Sequence, residues 1–220
     1  MKLPAGLPIL GILIAGAGCA DIAAPTRSQA YEWRLIQTVG PGSTDTLSFH
    51  WPASRLPVKI WAEDSLNLPA YVAAGIDKWK AAFLYGEYDA VTVADSNLAD
   101  VVVRIGAAGK IGIPSLELGG VAPECEGATD FELPAGSREL QVPVRVFINP
   151  RFDPSSPGVD QCLALTTLHE LGHSIGIFTH SSNPADLMYF DPLVSTLSSS
   201  DRATAELAYH TPANLTVAAR

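Results

Sequence analysis

Two histidines and one glutamate in the second half of the chain have the spacing of a metal site. Residues 169–173 read His-Glu-Leu-Gly-His. Side chains four residues apart lie on one face of an α-helix. The imidazoles of His169 and His173 can therefore reach one ion at Zn–N distances of about 2.0–2.1 Å. Glu170 points beside these ligands, where a carboxylate can take a proton from water at the ion. The pattern predicts a metal site with Glu170 as its catalytic base.

The residues after His173 supply a third ligand. Gly176 follows three residues later, and a glycine in a left-handed conformation would end the helix there. A catalytic zinc usually has three protein ligands and one open position. His180 lies just beyond the glycine, where a reversed chain can return its ring to the ion. We therefore expect His180 to be the third ligand.

The stretch HELGHSIGIFTHSSNPADLMY, residues 169–189, resembles the active-site signature of the metzincin zinc metallopeptidases. It is most similar to the matrixin branch, which includes the catalytic domains of matrix metalloproteinases. That pattern is H-E-x-x-H-x-x-G-x-x-H, followed by a methionine in a tight turn beneath the zinc, and Met188 matches that methionine. Ser181 after the third histidine also matches the matrixin pattern. Here three residues, where the family usually has two, separate Gly176 from His180, so Asp186 is a rival oxygen ligand.

The resemblance implies a zinc-dependent endopeptidase that acts on protein or peptide substrates. In the family the substrate lies extended against an edge strand, and residues 118–123 are our candidate for that strand. Residues 189–194 would line the pocket for the side chain after the cleaved bond. Structural calcium is common in matrixins, and Asp130, Asp153 and Asp160 are candidate ligands.

Two alternatives remain open at this level. In another class of zinc peptidase the third ligand is a glutamate on a downstream helix, and Glu206 could serve. The chain could also be a non-catalytic surface lipoprotein with a metzincin-like fold that binds a peptide or protein partner. An intact Glu170 counts against the second alternative, because a binding site needs no base.

Hydrophobic periodicity predicts the elements that must position these residues. The face formed by Val72, Ile76, Trp79 and Phe83 indicates a helix. The expected fold class is α+β, a twisted mixed sheet of about five strands packed with about three helices. The resemblance adds a metzincin-like zinc cleft between the active-site helix and the Met-turn. The predicted strands are 31–39, 56–62, 90–94, 100–105 and 144–148, and the predicted helices are 69–84, 159–175 and 198–209.

The N-terminus has the pattern of an export signal. An apolar stretch at 7–14 follows Lys2, and small residues lead to Cys19, which resembles the lipobox of bacterial lipoproteins. Ordinary signal cleavage near Ala17 or Ala24 is the alternative. We therefore expect an extracytoplasmic protein, either a cell-envelope lipoprotein or a secreted one. The predicted organisation is a signal peptide at 1–19, a tether or N-terminal extension at 20–54 and a catalytic domain at 55–220.

Net charge and cysteine content indicate which binding partners and which disulfide to expect. The net charge is −9, and an acidic chain repels phosphate backbones, so we expect no nucleic-acid partner. Membrane association is expected only through a lipid on Cys19, and we expect a monomer. An oxidising compartment favours a disulfide between Cys125 and Cys162, and the alternative is two unpaired buried thiols.

Overall fold

The three predicted helices and the five predicted strands are observed in the predicted order, and further strands join them. The computed structural model describes residues 29–107, 115–118, 125–151, 153 and 155–218, with only the backbone for 115–118. The helices are α1 (Leu68–Lys80), α2 (Val159–Ser174) and α3 (Ser199–His210). The strands are β1 (Leu35–Gly40), β2 (Ser43–Leu47), β3 (Val58–Ala62), β4 (Ala90–Thr92), β5 (Val101–Ile105), β6 (Ser115–Leu118), β7 (Cys125–Glu132), β8 (Glu139–Pro150) and β9 (Thr216–Val217).

The main sheet is mixed, and its strand order is β4-β3-β5-β8-β7-β6. The first four of these strands are parallel, whereas β7 runs antiparallel to β8 and β6 runs antiparallel to β7. β9 pairs with the beginning of β8 as a further strand. This architecture, a mixed sheet with three helices, agrees with the predicted α+β class.

One face of the sheet and two helices enclose the core. Strands β3, β5 and β8 alternate β-branched residues toward this face, where a pleated surface favours them. Trp79 of α1 is fully buried, and its Nε1 donates to the carbonyl oxygen of Leu168 in α2 at 2.9 Å. Beyond the end of α1, Phe83 is also buried. The residues that alternate toward this face of the three strands, all of them buried, are Val58, Ile60, Val101, Val103, Val144, Val146 and Ile148.

Residues 29–54, which fall within the predicted tether or N-terminal extension, contribute to this core. Trp33, Leu47, Phe49 and Trp51 are buried and form part of the main hydrophobic cluster. Strands β1 and β2 pair antiparallel as a hairpin where a single strand was expected. The predicted boundary between an extension and the catalytic domain therefore does not separate two packing units among residues 29–218.

Strand β7, like β2 and β9, was not predicted from the periodicity. It pairs with β8 over most of its length and with β6 on its other side. The predicted edge strand at 118–123 overlaps β6 only at Leu118, and residues 119–123 lie outside the described residues.

Residues 1–28, with the predicted signal peptide and Cys19, also lie outside the described residues. Among the described residues, no helix has the length and apolarity that crossing a membrane requires.

Candidate metal centre

Helix α2 carries two of the predicted ligands and the predicted base in a buried segment. Every residue from Thr166 to Ser174 is buried, and His169, Glu170 and His173 are 0% exposed. Because Gly172, between the two histidines, has no side chain, Met188 and Trp79 pack directly against it. A Cβ at this position would lie 2.4 Å from Met188 Sδ and 2.5 Å from Trp79 Cζ2.

The chain reverses at the end of α2 through a Schellman turn. Gly176 has φ of +112°. The Gly176 N–H donates to the His173 carbonyl at 2.9 Å, and the Ile177 N–H donates to the Gly172 carbonyl at 3.3 Å. These two bonds are the ones that define the motif. A Cβ on Gly176 would lie 2.1 Å from the carbonyl oxygen of Phe49. The predicted helix-ending role of Gly176 is therefore confirmed, and the N-terminal segment packs directly on the turn.

The reversal brings the ring of His180 to the two histidines of α2. Ring centroids are 4.9 Å apart for His169 and His173, 5.2 Å for His169 and His180, and 4.9 Å for His173 and His180. One nitrogen from each ring lies within 4.8 Å of the other two. His173 Nε2 and His180 Nε2 are 3.1 Å apart. Tetrahedral zinc with Zn–N bonds of about 2.0–2.1 Å would set its donors about 3.3 Å apart. The His173–His180 pair is close to that spacing, and the three imidazoles are close enough together to hold a metal ion.

Backbone carbonyls orient two of the rings. His169 Nδ1 lies 2.9 Å from the Leu187 carbonyl oxygen, and His173 Nδ1 lies 2.6 Å from that of Ile177. A carbonyl only accepts, so each Nδ1 carries the hydrogen and each Nε2 presents its lone pair. The Nε2 atom of His169 is buried with no hydrogen-bond partner. A lone pair held in that state is suited to a metal ion.

Burial keeps the three imidazoles neutral. It lowers the pKa of His169 to about 3, although the bond to Leu187 opposes this effect. Burial also lowers the pKa of His173 well below its usual range, and the nearby His169 and His180 lower it further. The pKa of His180 is lowered by burial as well. A histidine binds a metal ion only in its neutral form, so this environment favours metal binding at neutral pH.

A second turn, which contains Met188, fixes the loop that carries His180. The Ser181 N–H donates to the Met188 carbonyl at 2.8 Å. Asp186, the rival ligand, is buried and accepts from Ser181 Oγ at 2.5 Å. It therefore organises the loop and is not part of the histidine group. Met188 itself is fully buried and faces Gly172.

Asp201 at the start of α3 accepts hydrogen bonds from the backbone of the Met188 turn. Its carboxylate accepts from the Leu187 N–H at 2.8 Å and from the Met188 N–H at 3.3 Å. It also accepts from Tyr31 Oη at 2.8 Å and closes a capping box with Ser198. Because the Leu187 carbonyl orients His169, Asp201 acts on the site through the backbone. Asp201 was not a candidate site residue from the sequence, where the Ser-x-x-Asp pattern at 198–201 is typical only of a helix start.

Strand β7 supplies the surroundings of Glu170. Thr129 Oγ1 lies 2.7 Å from Glu170 Oε2 and 3.1 Å from the Glu170 carbonyl oxygen. A Cβ on Gly127 would lie 2.3 Å from Glu170 Oε1. Neither residue was a candidate from the sequence, because β7 was not predicted.

The remaining candidates fall in different places. Cys125 and Cys162 form a disulfide, with Cα atoms 5.9 Å apart, that joins β7 to α2. Asp130 lies within β7, where Arg145 Nε donates to it at 3.1 Å, and Asp160 lies in the first turn of α2. Asp153 accepts from the Ser155 hydroxyl and N–H.

These aspartates, and Glu206 of α3, do not join a metal-binding cluster. Over the described part of the chain, the three histidines are the one group of His, Cys, Asp or Glu side chains close enough to hold an ion. Asp130, Asp153 and Asp160 form no second group of this kind there, and Glu206 does not replace His180 in the histidine group.

No protein-family model matches this chain, and no curated protein sequence matches it either.

Proposed function

We propose that this chain is a zinc-dependent endopeptidase of the metzincin type. The observation that carries the proposal is the convergence of three neutral imidazoles beside a buried glutamate of the same helix. Three imidazole nitrogens suit zinc and leave one position open. The turn at Met188 and the Schellman turn at Gly176 support the assignment to this type, because they perform the positioning that the resemblance predicts.

His169, His173 and His180 would hold the ion. Zinc, when bound, supplies a Lewis acid that makes water a better nucleophile and stabilises negative charge on a peptide carbonyl oxygen. Glu170 takes the proton from the attacking water and passes it to the leaving amine. Its burial excludes bulk water, so the carboxylate keeps its proton for the leaving group. The Leu187 and Ile177 carbonyls hold the rings of two ligands during this exchange.

The proposed setting is outside the cytoplasm. A disulfide between Cys125 and Cys162 fits an oxidising compartment, and the export pattern with Cys19 supports a cell-envelope or secreted protein. The proposed substrates are proteins or peptides bound in extended form along the predicted edge strand at residues 118–123, and the proposed state is a monomer.

The test is a cleavage assay on an unfolded protein substrate with one equivalent of zinc. We expect a chelator to abolish cleavage and added zinc to restore it. His180→Ala should lose zinc and cleavage together. Glu170→Gln should keep zinc and lose activity by about two to four orders of magnitude, because only the proton transfer is removed.

His210→Ala is the matched control, because His210 is an exposed histidine that pairs with Glu87. It should bind zinc and cleave as the parent does. Cleavage by Glu170→Gln at the parent rate would contradict the assignment of the base. Zinc binding without any cleavage by the parent would favour the non-catalytic binding protein instead.

A further inference from the structure

Strand β7 runs beside α2 at the position of Glu170. Its residues alternate, so that Cys125, Gly127, Thr129 and Phe131 share one face of the strand. Thr129 and Phe131 are fully buried, and Gly127 and Thr129 contact Glu170. The two residues of β7 nearest the proposed base are therefore its smallest one and its one hydroxyl.

The hydroxyl of Thr129 has a defined direction. The main-chain carbonyl of Glu170 and its ionised carboxylate are both acceptors, so the Thr129 hydroxyl is the donor. The shorter distance, 2.7 Å, is to Oε2. A hydrogen bond from a neutral donor to a charged acceptor is stronger than one between neutral groups, and low local polarity strengthens it further. Thr129 therefore holds one carboxylate oxygen of a fully buried side chain.

Gly127 leaves the space that the other oxygen occupies. A Cβ there would approach Glu170 Oε1 to 2.3 Å and Thr166 Cγ2 to 2.6 Å. Real Cβ atoms do not make such contacts, so an alanine would have to displace the carboxylate or the helix. Gly127 and Thr129 together form a socket, which we call the Glu170 socket.

The Glu170 socket is fixed relative to the helix. The disulfide from Cys125 to Cys162 ties the start of β7 to α2, and β7 is paired with β8 along its length. A carboxylate held in one rotamer by a fixed strand needs no reorganisation when it takes a proton, which is how preorganised sites gain rate.

We infer that Thr129 is a positioning residue for Glu170 and that Gly127 completes its socket. This inference rests on the proposed peptidase function, since Thr129 acts only through the base. A merely structural threonine would affect stability and zinc content, whereas a positioning threonine affects turnover with zinc in place.

The experiment compares Thr129→Val, which keeps the shape and removes the hydroxyl, with Thr129→Ser, which keeps the hydroxyl. In zinc-loaded protein, T129V should lower kcat by about 10- to 100-fold with KM and zinc content unchanged, as expected when a reacting group is misplaced. T129S should restore kcat to within a few-fold of the parent. In the Glu170→Gln background, T129V should cause no further loss.

Thr204→Val is the matched control, because Thr204 is a fully buried threonine on α3 whose oxygen accepts from the Tyr31 N–H. It should reduce stability and leave kcat unchanged. Gly127→Ala provides a second variant should T129V not fold, and it should lower kcat with zinc retained.

Crystal structures of the metal-free parent, T129V and T129S give a readout that does not depend on turnover. The Glu170 carboxylate should move in T129V and return in T129S. An unmoved carboxylate, or T129V with the kcat of the parent, would overturn the inference. A parent that cleaves nothing while these structures behave as expected would instead refute the peptidase function and leave the socket intact.

Discussion

Replacing Gly176 with alanine tests whether the reversal after α2 is what brings His180 to the ion. Two costs follow from the structure. An alanine at φ of +112° is strained by about 1–3 kcal/mol. Its Cβ would also lie 2.1 Å from the Phe49 carbonyl oxygen, which is backbone and cannot rotate away. Overpacking of this kind costs about 1–3 kcal/mol. We expect Gly176→Ala to lose about 2–6 kcal/mol of unfolding free energy, the sum of the two effects.

The loss should be accompanied by weaker zinc binding, because relief of the clash moves the chain that carries His180. Gly136→Ala is the matched control. Gly136 has φ of +74°, and no atom lies within 4 Å of a Cβ built there. It isolates the backbone strain and should leave zinc affinity unchanged. Urea unfolding of the metal-free variants gives the free energy, and competition with a chromophoric chelator gives the zinc affinity.

Two results would refute this reasoning. Gly176→Ala could prove no less stable than Gly136→Ala, which would mean that the Phe49 contact is not a constraint. It could also bind zinc as tightly as the parent, which would mean that the turn does not position His180.

Three further predictions concern the surroundings of the site. Asp201→Asn should lower the free energy of unfolding by about 1–3 kcal/mol and weaken zinc binding. The carboxylate accepts from backbone N–H groups, and an asparagine would turn an amide N–H toward one of these donors. Unchanged zinc affinity would show that the Met188 turn holds without Asp201. Replacing Cys125 and Cys162 by alanine should lower the free energy of unfolding by about 4 kcal/mol, because the disulfide closes a span of 37 residues. Equal urea midpoints for this variant and the parent would contradict this. The metal-free protein should lose stability below about pH 6.5. In that range the histidines bind protons in the unfolded chain but not in the folded one, because burial lowers the pKa of His169 to about 3. The loss should be at most about 1.4 kcal/mol per pH unit for each buried histidine, and urea titrations that agree at pH 7.5 and pH 5 would disprove it.

The site residues that could be predicted are those whose positions depend on local geometry. His169, Glu170 and His173 lie on one helix, and a period of 3.6 residues places them without reference to any other element. Gly176 could be predicted for the same reason, since a helix end is a local event. The convergence of His180 with the other two histidines is confirmed, while the identity of the ion stays a prediction.

The residues that could not be predicted act across elements distant in sequence. Thr129 meets Glu170 only because β7 pairs with β8 and lies against α2. The sequence Cys-Glu-Gly-Ala-Thr-Asp-Phe-Glu has a glycine and several acidic residues, which are uncommon in strands. Its alternation of small or apolar residues with polar ones was the available signal.

The packing of residues 29–54 could not be predicted for a related reason. Its glycine, proline and serine content is typical of a tether, yet Trp33 and Phe49 are buried. The Trp33 carbonyl accepts from the Phe178 N–H at 2.7 Å, and Phe49 lies against Gly176. Isolated aromatic residues reveal burial only when their partners are known, and these partners are more than a hundred residues away.

The sequence by itself determined the order of the three helices and of strands β3, β4, β5 and β8, the helix that carries two imidazoles and a carboxylate, and the glycine at which that helix ends. These properties depend on backbone dihedral preferences and on a fixed helical period, and both act over a few residues. Only the tertiary structure decided which strand encloses Glu170, which carboxylate supports the Met188 turn and which segment packs on the reversal. Those contacts join positions far apart in the chain, and their energy comes from burial and hydrogen bonding that exist only after the elements have packed together.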